Sequence, residues 1–281
     1  MAGIGIVSSI DFQNTAQGAA FMAGAAQPAN FIYKIKDKLG FNRKRIAEAI
    51  NAFVADQSIT LIVTVGGLIT CHETIINNNS KFFISLVGFL PPAPFPQPAV
   101  SPAIFRGCVT LDTVVQNTSR LSWIAGAPWN IAAANVGLLY DANTAMAQQE
   151  IAAWTAAQAG LAVPADNGVA NPSNYSQDFQ KFKDAGMQAV VISAAPSHHR
   201  NREQLIYAAN ASGLDICYPL KGYASGAVKP VHNKAVTIGP DLDASDNTGA
   251  YWLLGDMAHT IVGNANPSTL IVSAPPTTNQ I

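Results

Sequence analysis

A chain of 281 residues, 49% of them apolar, holds enough material for one or two domains with large cores. Only 12% of its residues are charged, about half the usual share, and the formal net charge is -1. That balance offers nothing to a phosphate backbone, so no nucleic-acid partner is expected. No apolar run approaches the ~20 residues that span a bilayer, since Ile59 to Leu68 is broken by Gly66 and Gly67. The N-terminus lacks a basic region and a long apolar stretch, so no signal peptide is read there.

In chain order, Gly3 to Ser9 reads as a strand followed by a polar loop, SIDFQNT. Thr15 to Ala26 is a weak helix because of its two glycines. Phe31 to Ile35 is a second strand. Asn42 caps a helix that runs to Ala55, with Ile46, Ala49, Ile50 and Phe53 on one face. Ile59 to Val65 is a continuous β-branched strand, the pattern of a sheet covered on both faces. Gly66 and Gly67 lead into a helix ending at Asn77, and Lys81 to Val87 is another buried strand that ends at Gly88. The next thirteen residues, 90–102, contain six prolines, which excludes a helix or a central strand.

Cys108 to Leu111 is a short strand, and Thr118 to Gly126 a helix. The alternation then starts again. Strands are expected at Asn135–Tyr140, Ala162–Val163, Gln188–Ser193, Leu214–Tyr218, Ala235–Ile238 and Leu270–Ser273. Helices are expected at Ala145–Ala159, Tyr175–Ala185, Asn201–Ala211 and near Thr248–Val262. Strands separated by single helices predict parallel sheets with right-handed crossovers. Two such series predict two lobes, one of residues 1–116 with 234–262 and one of residues 117–233, with hinges near 112–118 and 225–235. Residues 263–281 are assigned to neither lobe. In such sheets ligands bind at the carboxyl ends of the strands, which directs attention to six loops.

Those loops carry a resemblance. Residues 186–226, GMQAVVISAAPSHHRNREQLIYAANASGLDICYPLKGYASG, resemble the ABC-type substrate-binding proteins whose characterised members bind aromatic amino acids. Residues 136–160, VGLLYDANTAMAQQEIAAWTAAQAG, resemble that family's strand, polar loop and helix, and IGPDL at 238–242 with Tyr251 is similar to its segment before the return helix. ITLIVTVGG and ISLVGF fit more loosely. The resemblance implies the type I-like periplasmic-binding-protein fold: α/β, two-lobed, with parallel sheets flanked by helices and a ligand cleft between the lobes. It implies a small organic ligand, an ABC-transporter permease as partner, and a periplasmic or cell-surface location. A monomer without cofactor is expected. The family often carries an acid where Ala195 stands, and another in the loop where Gly88-Phe89-Leu90-Pro91-Pro92 stands. Without them, a neutral, anionic or aromatic ligand is implied.

Each candidate residue has two readings. Gly66, Gly67 and Leu68 open a helix whose free N–H groups suit a carboxylate or phosphate, or they form only a tight turn. Asn143 and Thr144 cap the next helix, touch ligand, or do both. Ser193, Ala194 and Ala195 let a ligand approach the backbone, or accommodate packing. The rings of Phe12, Phe89, Tyr218 and Tyr223 stack on a planar ligand, or belong to cores. Asp11, and after it Asp241, could replace the missing acids, with a turn or hinge role as the alternative for Asp241. Gly88 ends the fourth strand beside Phe89.

No G-x-S-x-G, HExxH, P-loop or paired carboxylate is present. Cys71, Cys108 and Cys217 read as small buried hydrophobes, and His198-His199 as a solvated loop without metal. An enzyme is not expected. The alternative to a transport receptor is a ligand-sensing or partner-binding module on the same fold.

Overall fold

The computed structural model describes residues 3–25, 31–40, 42–87, 104–144, 146–165, 174–224, 227–231, 234–242, 244–247, 249–263, 270–273 and 276–280. The chain divides into two compact units. Unit 1 takes residues 1–112 and 240–275, and unit 2 takes 113–239 and 276–281.

Unit 1 begins with β1 (Gly3–Ser8), α1 (Ala16–Gly24), β2 (Ile32–Lys36), α2 (Arg43–Ala55), β3 (Ile59–Val65), α3 (Leu68–Asn77), β4 (Phe82–Val87) and β5 (Phe105–Thr110). Unit 2 supplies α4 (Thr113–Ala125), β6 (Val136–Asp141), α5 (Ala147–Ala156), β7 (Ala162–Ala165), α6 (Tyr175–Asp184), β8 (Ala189–Ile192), α7 (Pro196–Arg200), α8 (Arg202–Ser212), β9 (Asp215–Tyr218) and β10 (Ala235–Pro240). The chain then returns to unit 1 for α9 (Ala250–Val262) and β11 (Leu270–Ser273), and ends in unit 2 with β12 (Pro276–Gln280).

The sheet of unit 1 runs β11-β5-β4-β3-β1-β2, with every pairing parallel. Its strands are apolar on both faces because helices cover both. Leu61, Val63 and Val65 of β3 pack with Phe21 of α1 and Leu254 and Met257 of α9. Ile59 and Ile62 face the other way, toward Ile50 and Phe53 of α2. Each such side chain contributes about 1.5–3 kcal/mol by leaving water.

The α1 helix is weak in its own propensity, and its capping and packing explain why it forms. Thr15 caps it by accepting from the Gly18 N–H at 3.3 Å. It then lies so close to α9 that a Cβ on Gly24 would sit 1.9 Å from the Trp252 carbonyl oxygen, and one on Gly255 2.0 Å from that of Phe21. The glycines that weaken the isolated helix are thus what permit the contact.

The sheet of unit 2 runs β12-β10-β9-β8-β6-β7, and the pairings of β6 with β7 and β8, and of β9 with β8 and β10, are parallel. Phe179, Phe182, Val190, Leu205 and Ile216 fill one face. Leu121, Ile124, Leu138, Trp154 and Val191 fill the other.

The compact units divide at 112/113 and 239/240, where the sequence suggests 116/117 and 233/234. Two expectations are corrected. The fourth helix begins at Thr113, five residues early. Its first turn has poor helix formers, but Gln116 and Asn117 are buried there and held by side-chain bonds. The loop expected at 194–199 contains α7, a single turn with proline in its first position, where proline is favoured. Residues 276–280 form a strand that the sequence reading left unassigned. The proline-rich segment 90–102 lies outside the described residues.

Candidate functional site

In unit 1 the carboxyl ends of β1 and β3 are joined side by side. The Ser9 N–H donates to Val65 O at 3.2 Å, and its hydroxyl to Gly66 O at 3.2 Å. Gly66 and Gly67 have φ of +103° and +96°, values only glycine adopts without strain. A Cβ on Gly66 would strike the Ser9 hydroxyl, whereas one on Gly67 would meet open space. Gly67 is the N-cap of α3 and no side chain caps that end. The first turn of α3, with its donor N–H groups, therefore opens where none of the described residues packs against a Cβ on Gly67. Leu68 begins the helix.

Asp11 is exposed and pairs with Lys38 at 3.0 Å. Phe12 is 1% exposed, packed against Phe21 and Tyr251 with ring centroids 5.7 and 5.9 Å away. Its ring belongs to the core of unit 1, and its backbone rather than its ring faces the loop. Asp37, just past β2, accepts from the N–H groups of Phe12 (3.1 Å) and Gln13 (3.0 Å). The bond from Gln13 contributes most to holding the Asp37 carboxyl below its ordinary range. Asp241 is half-buried and organises a turn. Its carboxylate accepts from the Ala244 N–H at 3.1 Å and its carbonyl from that of Ala250. Gly88 and Phe89 lie outside the described residues.

In unit 2 the ends of β6, β8 and β9, adjacent in the sheet, bring together Asn143, Thr144, Ser193, Ala194, Ala195 and Tyr218. Asp141, at the end of β6, is the organiser that the sequence reading missed. It accepts from the Asn143 N–H at 2.9 Å and from the Ser197 hydroxyl, tying the loop after β6 to α7. The signal was present, because an acid two residues ahead of a loop amide is the pattern of an Asx turn. The Thr144 hydroxyl donates to the Asp141 carbonyl at 3.0 Å. Neither Asn143 nor Thr144 caps α5, whose N-cap is Met146 without a side-chain bond.

Ser193 and Ala195 are fully buried, and Ala194 is half-buried. The Ser193 N–H donates to Leu139 O at 2.9 Å, while its hydroxyl lacks a protein partner. Tyr218 and Tyr223 are stacked with centroids 5.2 Å apart, and both are fully buried in the core of unit 2. Burial pushes both phenols well above their ordinary range.

The expectation of a solvated histidine loop is corrected by α7. His198 is fully buried, with Nδ1 3.3 Å from the Tyr175 hydroxyl and Nε2 without a protein partner. Burial lowers its pKa to about 4, so it is neutral at physiological pH. Among the described residues no three His, Cys, Asp or Glu side chains are grouped to hold a metal ion. All three cysteines are buried thiols. Among the same residues no helix is long and apolar enough to cross a membrane.

No family model matches the chain, and no curated protein does. Solved structures do match along its whole length. The ABC domain from Streptococcus pneumoniae in complex with L-Trp is 13% identical at a TM-score of 0.65, covering 99% of this chain and 91% of its own. A periplasmic ribose ABC transporter protein from Conexibacter woesei is 12% identical at 0.64, with coverages of 99% and 91%. A LacI family transcriptional regulator from Weissella paramesenteroides with bound sucrose is 11% identical at 0.57, covering 100% and 97%. At these identities the likeness is one of fold. The chain has the type I-like periplasmic-binding-protein fold, two α/β units with parallel sheets flanked by helices, which it shares with solute-binding proteins of ABC transporters.

Proposed function

We propose that this protein is a solute-binding protein of an ABC-type uptake system, and that its strand-end loops hold a small organic ligand. The observation that carries this reading is the convergence of small and polar turns on the carboxyl ends of parallel strands in each unit. Gly66 and Gly67 stand there in unit 1, and Asn143, Thr144 and Ala194 in unit 2. The ligand class follows from which acids are engaged. Asp11 faces Lys38, Asp141 is bonded to Ser197 and Asn143, and Asp241 closes its own turn. These three carboxylates are engaged and leave an ammonium group no ready partner among them, while the first turn of α3 offers N–H groups to an acceptor. A planar or carboxylate-bearing solute, neutral or anionic, fits best, and an aromatic amino acid would enter by its carboxylate. The protein acts outside the cytoplasmic membrane as a monomer and delivers its solute to a permease.

A panel of aromatic acids, aromatic amino acids, sugars and polyols, read by thermal unfolding and by emission of Trp123, Trp129, Trp154 and Trp252, tests this. The expected result is saturable stabilisation by one carboxylate-bearing class, with Gly67→Val weakening it. A panel without any response overturns the reading. The sugar-bound transcriptional regulator of like fold favours a second reading, a sensor domain. Under that reading a sugar or polyol gives the response and a stable protein complex replaces the permease.

A further inference from the structure

Arg120 of α4 is fully buried, and its hydrogen bonds go to neutral oxygens. Nε donates to Ile238 O at 2.6 Å, Nη1 to Asn117 Oδ1 at 2.7 Å, and Nη2 to Gln116 Oε1 at 2.9 Å and Pro219 O at 3.4 Å. The countercharge stands one residue further on. Asn117 Nδ2 donates to Glu150 Oε1 of α5 at 2.9 Å, and Glu150 Oε2 is buried without a protein partner. A carboxylate with one bonded and one bare oxygen is poorly compensated for its loss of water. Burial accordingly pushes Glu150 up to about 7, and Arg120 down to about 10, so Arg120 stays charged at neutral pH.

The groups that face this pair can be named. Tyr140 and Asp141 of β6 face Glu150, and Cys217 of β9 and Tyr223 face Arg120. Burial pushes the Cys217 thiol up to about 12, and the phenols of Tyr140 and Tyr223 are also raised. These three stay neutral from pH 5 to 8.

We propose that Glu150, Asn117 and Arg120 form a proton-linked relay, in which proton uptake by Glu150 resets the bonds Arg120 makes to the ends of β9 and β10. The carboxylate form of Glu150 accepts from the Asn117 amide and leaves Asn117 Oδ1 to the guanidinium. The carboxylic acid accepts the Asn117 amide bond more weakly and frees that amide, whose Oδ1 is the acceptor of Arg120 Nη1, to shift. Arg120 is then drawn toward Gln116 and the two backbone carbonyls. Pro219 and Ile238 carry the readout, because one precedes the 220–223 turn and the other is two residues from the return to unit 1 at 240. The relay lies inside unit 2 and does not depend on the solute-binding reading.

The chain has four glutamates, Glu48, Glu73, Glu150 and Glu203, so carboxyl NMR of glutamate-labelled full chain between pH 4 and 9 resolves them individually. We expect one carboxyl to titrate near pH 7 and to vanish in Glu150→Gln. The backbone amides of Tyr218, Leu220 and Ile238 shift with the same midpoint in the native chain, and Asn117→Ser uncouples them while Glu150 still titrates. Four carboxyls that all titrate below pH 6 overturn the relay, and so does a high-titrating Glu150 with those amides static. Both readings come from the native protein and need no variant to fold.

Discussion

Unit 1 and unit 2 solve the same architectural problem with different interiors. Among the described residues, unit 1 buries mostly hydroxyls under its helices: Thr64 and Ser85 share a hydrogen bond at 2.8 Å, with Cys71 beside Ser85. Its buried acid, Glu73, reaches the exposed Arg43 at 2.6 Å. Unit 2 buries Arg120, Glu150, Asp141, Asp178 and His198. Neutral interiors are sensitive to volume and blind to pH, whereas buried ionisable groups link folding to protons. The pH dependence that comes from buried groups should therefore reside in unit 2, whereas Asp37 of unit 1, held below its ordinary range by backbone N–H groups, acts only at acid pH.

The largest effect that would break this comparison is expected at Arg120. Arg120→Met leaves Glu150 without its cation and removes four buried hydrogen bonds, which should cost about 3–5 kcal/mol. Urea unfolding should show the loss in unit 2, reported by the buried Trp154. A cost below about 1 kcal/mol would mean that the network is dispensable.

Next come two pH slopes of opposite sign. Glu150 has a raised pKa in the fold, from 4.5 to about 7. Its contribution is fully present below pH 4.5 and is lost as pH rises to 7, at most about 3 kcal/mol. His198 has a lowered pKa, from 6.5 to about 4. Its contribution is present above pH 6.5 and is lost as pH falls to 4, again at most about 3 kcal/mol. In the native chain the two largely cancel across pH 4.5–6.5. Glu150→Gln should leave stability rising with pH over that window, and His198→Asn should leave it falling. Chemical denaturation at half-unit pH steps reads both, and parallel curves for the two variants would refute the assignment.

Smaller effects sharpen the contrast from the side of unit 1. Gly255→Ala drives a methyl into the Phe21 carbonyl and should cost about 1–3 kcal/mol, equally at pH 5 and 8. Thr64→Val removes the bond to Ser85 and should cost about 1 kcal/mol, also without pH dependence. A pH-dependent loss in either variant would blur the distinction between the two interiors.

Much of the fold was legible because β-branched runs such as ITLIVTV have no other stable home than a sheet covered on both faces. Asn42 was readable as a cap for a similar reason, its amide oxygen accepting from Arg45 N–H at 3.1 Å. What escaped reading depended on tertiary partners. The early start of α4 needs Arg120 and Glu150 to satisfy its buried amides. The burial of His198 needs Tyr175, 23 positions away in sequence. The candidate loops were found from their place at strand ends, but which side chains face outward was not. Phe12, Tyr218 and Tyr223 look like stacking rings in sequence, and their partners Phe21, Tyr251 and each other lie in the cores.

The most direct test of the solute-binding reading is to titrate the most stabilising compound of the panel into isotopically labelled protein and map the amides that move. The account predicts saturating shifts at strand-end loops, 66–69 in unit 1 or 142–147 and 193–195 in unit 2. Shifts confined to the outer groove of about 410 Å³ lined by Tyr175, Gln204 and Tyr207, with the strand-end loops still, would contradict it.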